Sequence, residues 1–173
     1  MALAGFLVVY AHQVALVSGL RFSSAANGTL IMATSPLLSA LLAAIFYREK
    51  LTLVRISGAM LGLLGVGMVV AGSGAQIGLT GWGDAVVFVA VLVFVFGGLV
   101  IQRMSRTMDP LGMLWYMYLA GGLMLVVHAA MTPASYQTDT WQMTWWPWLV
   151  LMFSAVVALS LIHISEPTRL LSI

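Results

Sequence analysis

The chain has 173 residues, of which 62% are hydrophobic and only 7% charged, and its mean hydropathy is +1.06. Charged side chains this scarce cannot cover the surface of a soluble globular domain, and the composition therefore predicts an integral membrane protein. A net charge of +2 excludes an extended basic surface for nucleic acid, and the absence of cysteine excludes disulfides, thiolate metal sites and cysteine nucleophiles.

Apolar windows of about 20 residues predict six membrane-spanning helices, because a helix of that length crosses the hydrocarbon core. The predicted helices cover residues 2–20, 28–47, 53–71, 85–102 and 111–131, and a sixth begins near residue 145. Asn27 can cap the second helix, and Asp84 lies at the favourable N-terminal end of the fourth. Asp109 followed by Pro110 is typical of the start of the fifth. The predicted fold class is an all-α, multipass transmembrane helical bundle.

Basic side chains cluster in two predicted loops that are two helices apart. They are Arg48, Lys50 and Arg55 in the first loop and Arg103 and Arg106 in the second. Since lysine and arginine favour cytoplasmic loops, we expect both loops and the Met1 side to face the cytoplasm of a cell inner (plasma) membrane. Arg21 alone falls on the other side. Residues 73–83 are glycine-rich and uncharged, which predicts a linker.

The segment 27–67, NGTLIMATSPLLSALLAAIFYREKLTLVRISGAMLGLLGVG, resembles the repeat of EamA-type transporters in the drug/metabolite transporter superfamily. Pro36 corresponds to the proline of the family's fourth helix, and Glu49 to the glutamate that follows that helix. The glycine-rich fifth helix of the family is matched by Gly58, Gly62, Gly65 and Gly67. Residues 83–104, GDAVVFVAVLVFVFGGLVIQRM, resemble the start of a second repeat.

This resemblance implies a fragment of a ten-helix carrier built from two inverted five-helix repeats. Residues 1–72 would be the last three helices of the first repeat, residues 73–83 the linker, and residues 84–158 the first three helices of the second. The resemblance also implies transport of small organic solutes by alternating access. The string LSLIHISEPTR at 159–169 resembles a translated sequencing adapter, so we expect residues 159–173 not to be native.

Polar side chains and broken backbone are costly against lipid, so they should face protein or a wet cavity. The candidates for a substrate cavity are His12, Gln13, Thr34, Ser35, Pro36, Trp115 and Tyr118. Each has a structural alternative. His12 and Gln13 could instead form a hydrogen bond between helices. Pro36 and its two neighbours could form a static kink, and the aromatic pair could anchor the chain at the membrane interface.

The remaining features indicate structure more than chemistry. Gly58, Gly62 and Gly65 predict close helix packing, and Glu49 predicts a salt bridge in its loop. Residues 81–84 match the GxGD string of intramembrane aspartyl proteases, but no second aspartate lies within a predicted helix to complete that active site. We therefore expect no enzyme and no catalytic residue. We also expect no metal and no cofactor. The expected partners are the lipid bilayer and a small-molecule solute, with no nucleic acid, and a homodimer is left open. The alternative function is a structural or assembly subunit of a membrane complex.

Overall fold

The computed structural model describes residues 1–72, 81–132 and a few helical positions between 145 and 156. The chain forms two compact units, Met1–Ala129 and Ala130–Ile173. Among the described residues every regular element is helical. The sixth predicted helix, apart from those few positions, falls outside the described residues, as do most of the linker and the whole adapter-like tail.

Five helices are described from end to end. They are α1 (Ala2–Leu20), α2 (Ala25–Tyr47), α3 (Leu53–Gly72), α4 (Trp82–Met104) and α5 (Pro110–Met131). By length and composition α1, α2, α4 and α5 can cross a membrane, and α3 contains the shorter apolar stretch Leu53–Met68. The predicted bounds agree with the observed ones to within three residues at every end. The all-α multipass prediction is therefore confirmed.

The cap of α2 differs from the prediction. Ser24, not Asn27, precedes the first helical turn, and its Oγ accepts a hydrogen bond of 3.0 Å from the backbone N–H of Asn27. The helix begins three residues earlier than its apolar run, so Asn27 lies within the first turn and its side chain is free to reach another helix. The start of α5 is as predicted, because Asp109 Oδ2 accepts from the N–H of Gly112 at 2.8 Å.

Helix α2 is broken near its middle. Its two parts, Ala25–Ala33 and Ser35–Tyr47, meet at Thr34, and Pro36 lies in the first turn of the second part. Proline has no N–H to donate, so a carbonyl of the preceding turn loses its usual partner. The Thr34 hydroxyl donates to the carbonyl of Ile31 at 2.6 Å. Helix α1 is also irregular, with a π-helical segment over Gly5–Ala11 that no sequence pattern indicated.

Helix α4 packs against both α1 and α2 and buries a continuous apolar stripe. Its members recur at helical spacing and are Val87, Ala90, Val91, Val95 and Leu99. Gly19 near the end of α1 lies beside Val87, and Gly97 lies beside Val8, so α1 and α4 are antiparallel. Asn27 contacts Asp84 and Tyr47 contacts Leu99, so α2 and α4 are parallel.

These directions place the helix ends in two groups. One end carries Met1, the 48–52 loop and the 105–109 loop, and we call it the basic end because the predicted clusters of lysine and arginine lie there. The opposite end carries the 21–24 loop and the start of α4. The helices therefore alternate in direction, which is the arrangement that the distribution of basic residues predicts.

Glycines make the closest helix contacts. A Cβ added at Gly5 in α1 would lie 2.5 Å from the Met117 carbonyl oxygen of α5, and one at Gly121 would lie 2.7 Å from the Gly5 carbonyl oxygen. A Cβ at Gly97 would overlap Val8 of α1. By contrast, Gly58, Gly62 and Gly65 have nothing within 4 Å of an added Cβ. No described atom packs against these three positions, and the packing role predicted for them stays a prediction.

Adjacent glycines allow a matched test of this packing. We expect Gly121→Ala and Gly97→Ala each to destabilise the bundle by about 1–3 kcal/mol, because the new methyl meets atoms of α1. Gly122→Ala and Gly98→Ala add the same methyl where nothing lies within 4 Å, so they should be neutral or stabilise by up to about 1 kcal/mol. Thermal unfolding in detergent measures the stability of all four variants. Equal losses of stability in adjacent variants, 121 with 122 or 97 with 98, would contradict this packing.

Candidate functional site

Three polar side chains meet at the end of the bundle opposite the basic end, where the 21–24 loop, α2 and α4 converge. The Asn27 amide donates from Nδ2 to both carboxylate oxygens of Asp84, at 3.2 and 3.1 Å, and the Ser23 hydroxyl donates to Asp84 Oδ1. Asn27 is only 6% exposed. These hydrogen bonds join α2 and the loop before it to the first turn of α4.

Near the middle of the bundle, His12 joins α1 to α4. Its Nδ1 lies 3.0 Å from the Ala90 carbonyl oxygen, which can only accept, so Nδ1 carries the proton. The imidazole also packs against Phe94 with ring centroids 4.9 Å apart, and His12 is 7% exposed. The residue occupies a helix interface, which is the structural alternative that the sequence left open.

At the basic end, α2 and the loop that follows it are tied to the last turns of α4. The Tyr47 hydroxyl donates to the Leu99 carbonyl oxygen at 2.5 Å, and Gln102 Nε2 donates to Glu49 Oε1 at 3.0 Å. Arg55 forms an ion pair of 2.9 Å with the other oxygen of Glu49. The hydrogen bonds from Arg55 and Gln102 hold the pKa of Glu49 below its usual value, so this carboxylate is ionised at neutral pH. The predicted salt bridge of Glu49 is confirmed, with Arg55 as its partner.

A groove of about 620 Å³ lies between α2 and α3. Its α2 wall begins at the break, and its α3 wall is a face of small residues. The lining residues are Ala33, Pro36, Ser39, Val54, Arg55, Gly58, Ala59, Gly62 and Val66. Gly58 and Gly62 carry no side chain, and no atom of the described residues lies within 4 Å of a Cβ added to either, so the glycines here leave a hollow. We refer to this cavity as the α2–α3 groove.

The structure separates the predicted cavity residues into different places. Pro36 lines the α2–α3 groove, with Thr34 and Ser35 next to it in the chain and half-buried. His12 lies between α1 and α4, and its neighbour Gln13 is exposed. On α5, Trp115 and Tyr118 are 73% and 59% exposed. The α2–α3 groove does not bring the three groups together, and the role of each in solute binding stays a prediction.

The polar contacts with α4 were only partly visible in the sequence. Asp84 and Asn27 were noticed as helix-end residues, whereas their contact joins positions 57 residues apart. Tyr47 carried no signal beyond its place before the basic loop. The Tyr10 hydroxyl and His128 Nδ1, 2.9 Å apart, likewise join α1 to α5 across 118 residues. Contacts at such separation follow from the packing and not from local pattern.

Comparison with known proteins agrees with the family resemblance that the sequence indicated. The model of the EamA-like transporter family matches residues 1–71. The uncharacterized transporter YyaM of Bacillus subtilis is 26% identical over 132 residues, covering 74% of this chain and 43% of that protein. A WAT1-related chloroplastic protein of Arabidopsis thaliana is 29% identical over 115 residues, covering 64% of this chain and 28% of that protein. The chain thus spans less than half the length of either relative. No solved structure matches it.

A double-mutant cycle tests the polar cluster at the opposite end. We expect Asn27→Ala and Asp84→Ala each to lower the free energy of unfolding by about 1.5–3 kcal/mol, because each removes the two hydrogen bonds between the Asn27 amide and the Asp84 carboxyl group. The double variant should cost less than the sum of the two. Thr29→Ala is the matched control on α2, since its hydroxyl bonds only to Ala25 in the same helix, and its effect should stay within about 0.5 kcal/mol. Strict additivity would show that the two side chains do not interact.

Proposed function

We propose that the chain belongs to the EamA-like transporter family and forms part of a carrier for small organic solutes in the cell membrane. Residues 1–72 would complete the first repeat, and residues 84–158 would begin the second after the linker at 73–83. The family match and the transporter relative support this assignment. The apolar multipass bundle is the fold that such an activity requires.

Alternating access would move the two repeats relative to each other. Polar side-chain contacts cross from α1–α3 to α4 at both ends of the bundle, and His12 on the Ala90 carbonyl crosses near its middle. Asn27 bonds to Asp84 at the start of α4, and Gln102 bonds to Glu49 at the basic end. A rocking motion would rearrange these hydrogen bonds, and hydrogen bonds can be exchanged for water at a helix end more easily than in the hydrocarbon core.

We propose the α2–α3 groove as part of the solute path. Broken helices are tolerated in membranes where the irregular backbone is buried in protein or lines a water-filled cavity, and the break at Thr34 lies beside this groove. The groove also offers polar groups from Ser39 and Arg55 on otherwise apolar walls. A mostly apolar cavity with a few polar groups is the usual form of a small-molecule site.

Filling the groove should stop transport without unfolding the protein. We expect Gly62→Leu to slow solute exchange by at least about tenfold, a barrier increase of about 1.4 kcal/mol. Its side chain would project into the cavity, and no atom lies within 4 Å of its Cβ. The measurement is counterflow in liposomes with a panel of radiolabelled amino acids, purine bases and organic cations, using the protein produced from its complete gene.

Gly65→Leu is the matched control, because Gly65 lies on the same helix in equally open space but does not line the groove. It should retain exchange to within about twofold of the unsubstituted protein. Equal losses in the two variants would remove the groove from the solute path. Absence of exchange for every solute in the panel by folded, unsubstituted protein would favour the structural-subunit alternative.

For orientation we propose that the basic end faces the cytoplasm, since five of the six basic residues at the described helix ends lie there and Arg21 alone lies opposite. Thr52→Cys and Phe22→Cys place single thiols in exposed positions at the two ends of a chain without native cysteine. A membrane-impermeant maleimide should label Phe22→Cys in intact cells, and should label Thr52→Cys only after permeabilisation. The reverse pattern would refute this orientation.

A further inference from the structure

A second cavity lies at the basic end, between the last turns of α2 and α4, and the proposed solute path does not include it. Its volume is about 540 Å³. Its apolar wall includes Phe46, Phe96, Leu99 and Val100. Arg103 and Thr107 line it nearer the end of α4. Phe46 and Phe96 meet edge to face with centroids 5.7 Å apart, yet they remain 58% and 41% exposed.

The positive charge around this cavity exceeds the negative charge. The charged side chains of the basic end are Arg48, Lys50, Arg55, Arg103 and Arg106 against Glu49 and Asp109. Glu49 is paired with Arg55, and Asp109 accepts from the start of α5. Neither carboxylate forms an ion pair with Arg103 in the part of the chain that the structure describes. Arg103 is therefore a cation that lines the cavity and has no ion-pair partner among the described residues.

A second guanidinium approaches the same cavity. Arg106 lies over the ring of Tyr47, 5.9 Å from its centroid, and Tyr47 is itself part of the cavity lining. The Tyr47 hydroxyl is bound to the Leu99 carbonyl oxygen, so the ring has a fixed position. Stacking on this ring holds the Arg106 guanidinium beside a lining residue of the cavity, three positions after Arg103 in the chain.

From these contacts we propose that the cavity binds one anionic phospholipid, with the phosphate at Arg103 and Arg106 and the upper acyl chain against Phe46 and Phe96. Phe96 and Arg103 are seven positions apart, which is about 10 Å along the helix axis. That length spans the boundary between headgroups and hydrocarbon, because the polar layer on each side of a bilayer is about 5–7 Å thick. Basic pockets between transmembrane helices are known binding sites for anionic headgroups.

The apolar wall distinguishes a lipid from a free anion. A soluble phosphate would gain only from the two guanidinium groups and would leave the phenylalanine rings in contact with water or detergent. A phospholipid satisfies both ends of the cavity at once, since its chain covers the rings and its headgroup neutralises the arginines. The arrangement therefore favours a lipid drawn from the membrane.

Native mass spectrometry of the purified chain in neutral detergent tests the proposal. The probes are dioleoyl-phosphatidylglycerol, dioleoyl-phosphatidylcholine and inorganic phosphate. We expect phosphatidylglycerol to bind about tenfold more tightly than phosphatidylcholine, and Arg103→Gln to weaken phosphatidylglycerol alone by about fivefold. Phe96→Ala should weaken both lipids. Arg103→Lys, which keeps the charge, should stay within about twofold of the unsubstituted chain.

Lys50→Gln is the matched control, because it removes one positive charge from an exposed position at the same end without lining the cavity. It should leave phosphatidylglycerol binding within about twofold. Three results would overturn the proposal: equal affinity for the two lipids, equal effects of Lys50→Gln and Arg103→Gln, or loss of the lipid preference in excess inorganic phosphate. Helical circular dichroism confirms that each variant is folded, and if Arg103→Gln fails to fold, the Arg103→Lys and Phe96→Ala results decide.

Discussion

The carboxylate of Asp84 needs hydrogen-bond donors inside an apolar bundle, and much of the helix arrangement depends on how it obtains them. Asn27 supplies two contacts from α2, and Ser23 supplies another from the loop before it. A partly buried polar group left without a partner costs free energy, so these contacts help to fix which helices meet at this end. His12 on Ala90 and Tyr47 on Leu99 extend the same principle along α4 to the basic end. Helix α4 is thus bound to α1 and α2 along its whole length.

Glycine has opposite uses on the two sides of this bundle. Gly5, Gly97 and Gly121 let backbones approach so closely that a methyl group would overlap the neighbouring helix. On α3, Gly58 and Gly62 face open space and shape the α2–α3 groove. The side of the bundle around α4 is therefore tightly packed, whereas the side between α2 and α3 has room for a small molecule. This contrast is the structural basis for placing the solute path beside the break in α2.

The sequence predicted the features that depend on local pattern. Apolar length placed five helices, Pro36 with Thr34 predicted the break in α2, and the basic loop predicted an ion pair for Glu49. The missed features depend on what lies across the bundle. Gly62 and Gly97 look alike in sequence, and only the neighbouring helix decides that one is open and the other is packed. Likewise, the pairing of Asn27 with Asp84 requires the relative placement of α2 and α4, which hydropathy does not encode.

The central claim is that the α2–α3 groove is a wet path and not a surface covered by lipid. Substituted-cysteine reactivity tests it directly, because a charged thiosulfonate reagent reacts only with thiols that water reaches as thiolates. We predict that Gly62→Cys in the membrane-embedded protein reacts at least about tenfold faster than Gly65→Cys on the same helix, since the first position lines the groove and the second does not. Equal or inverted rates would contradict the account and place the glycine face of α3 against lipid.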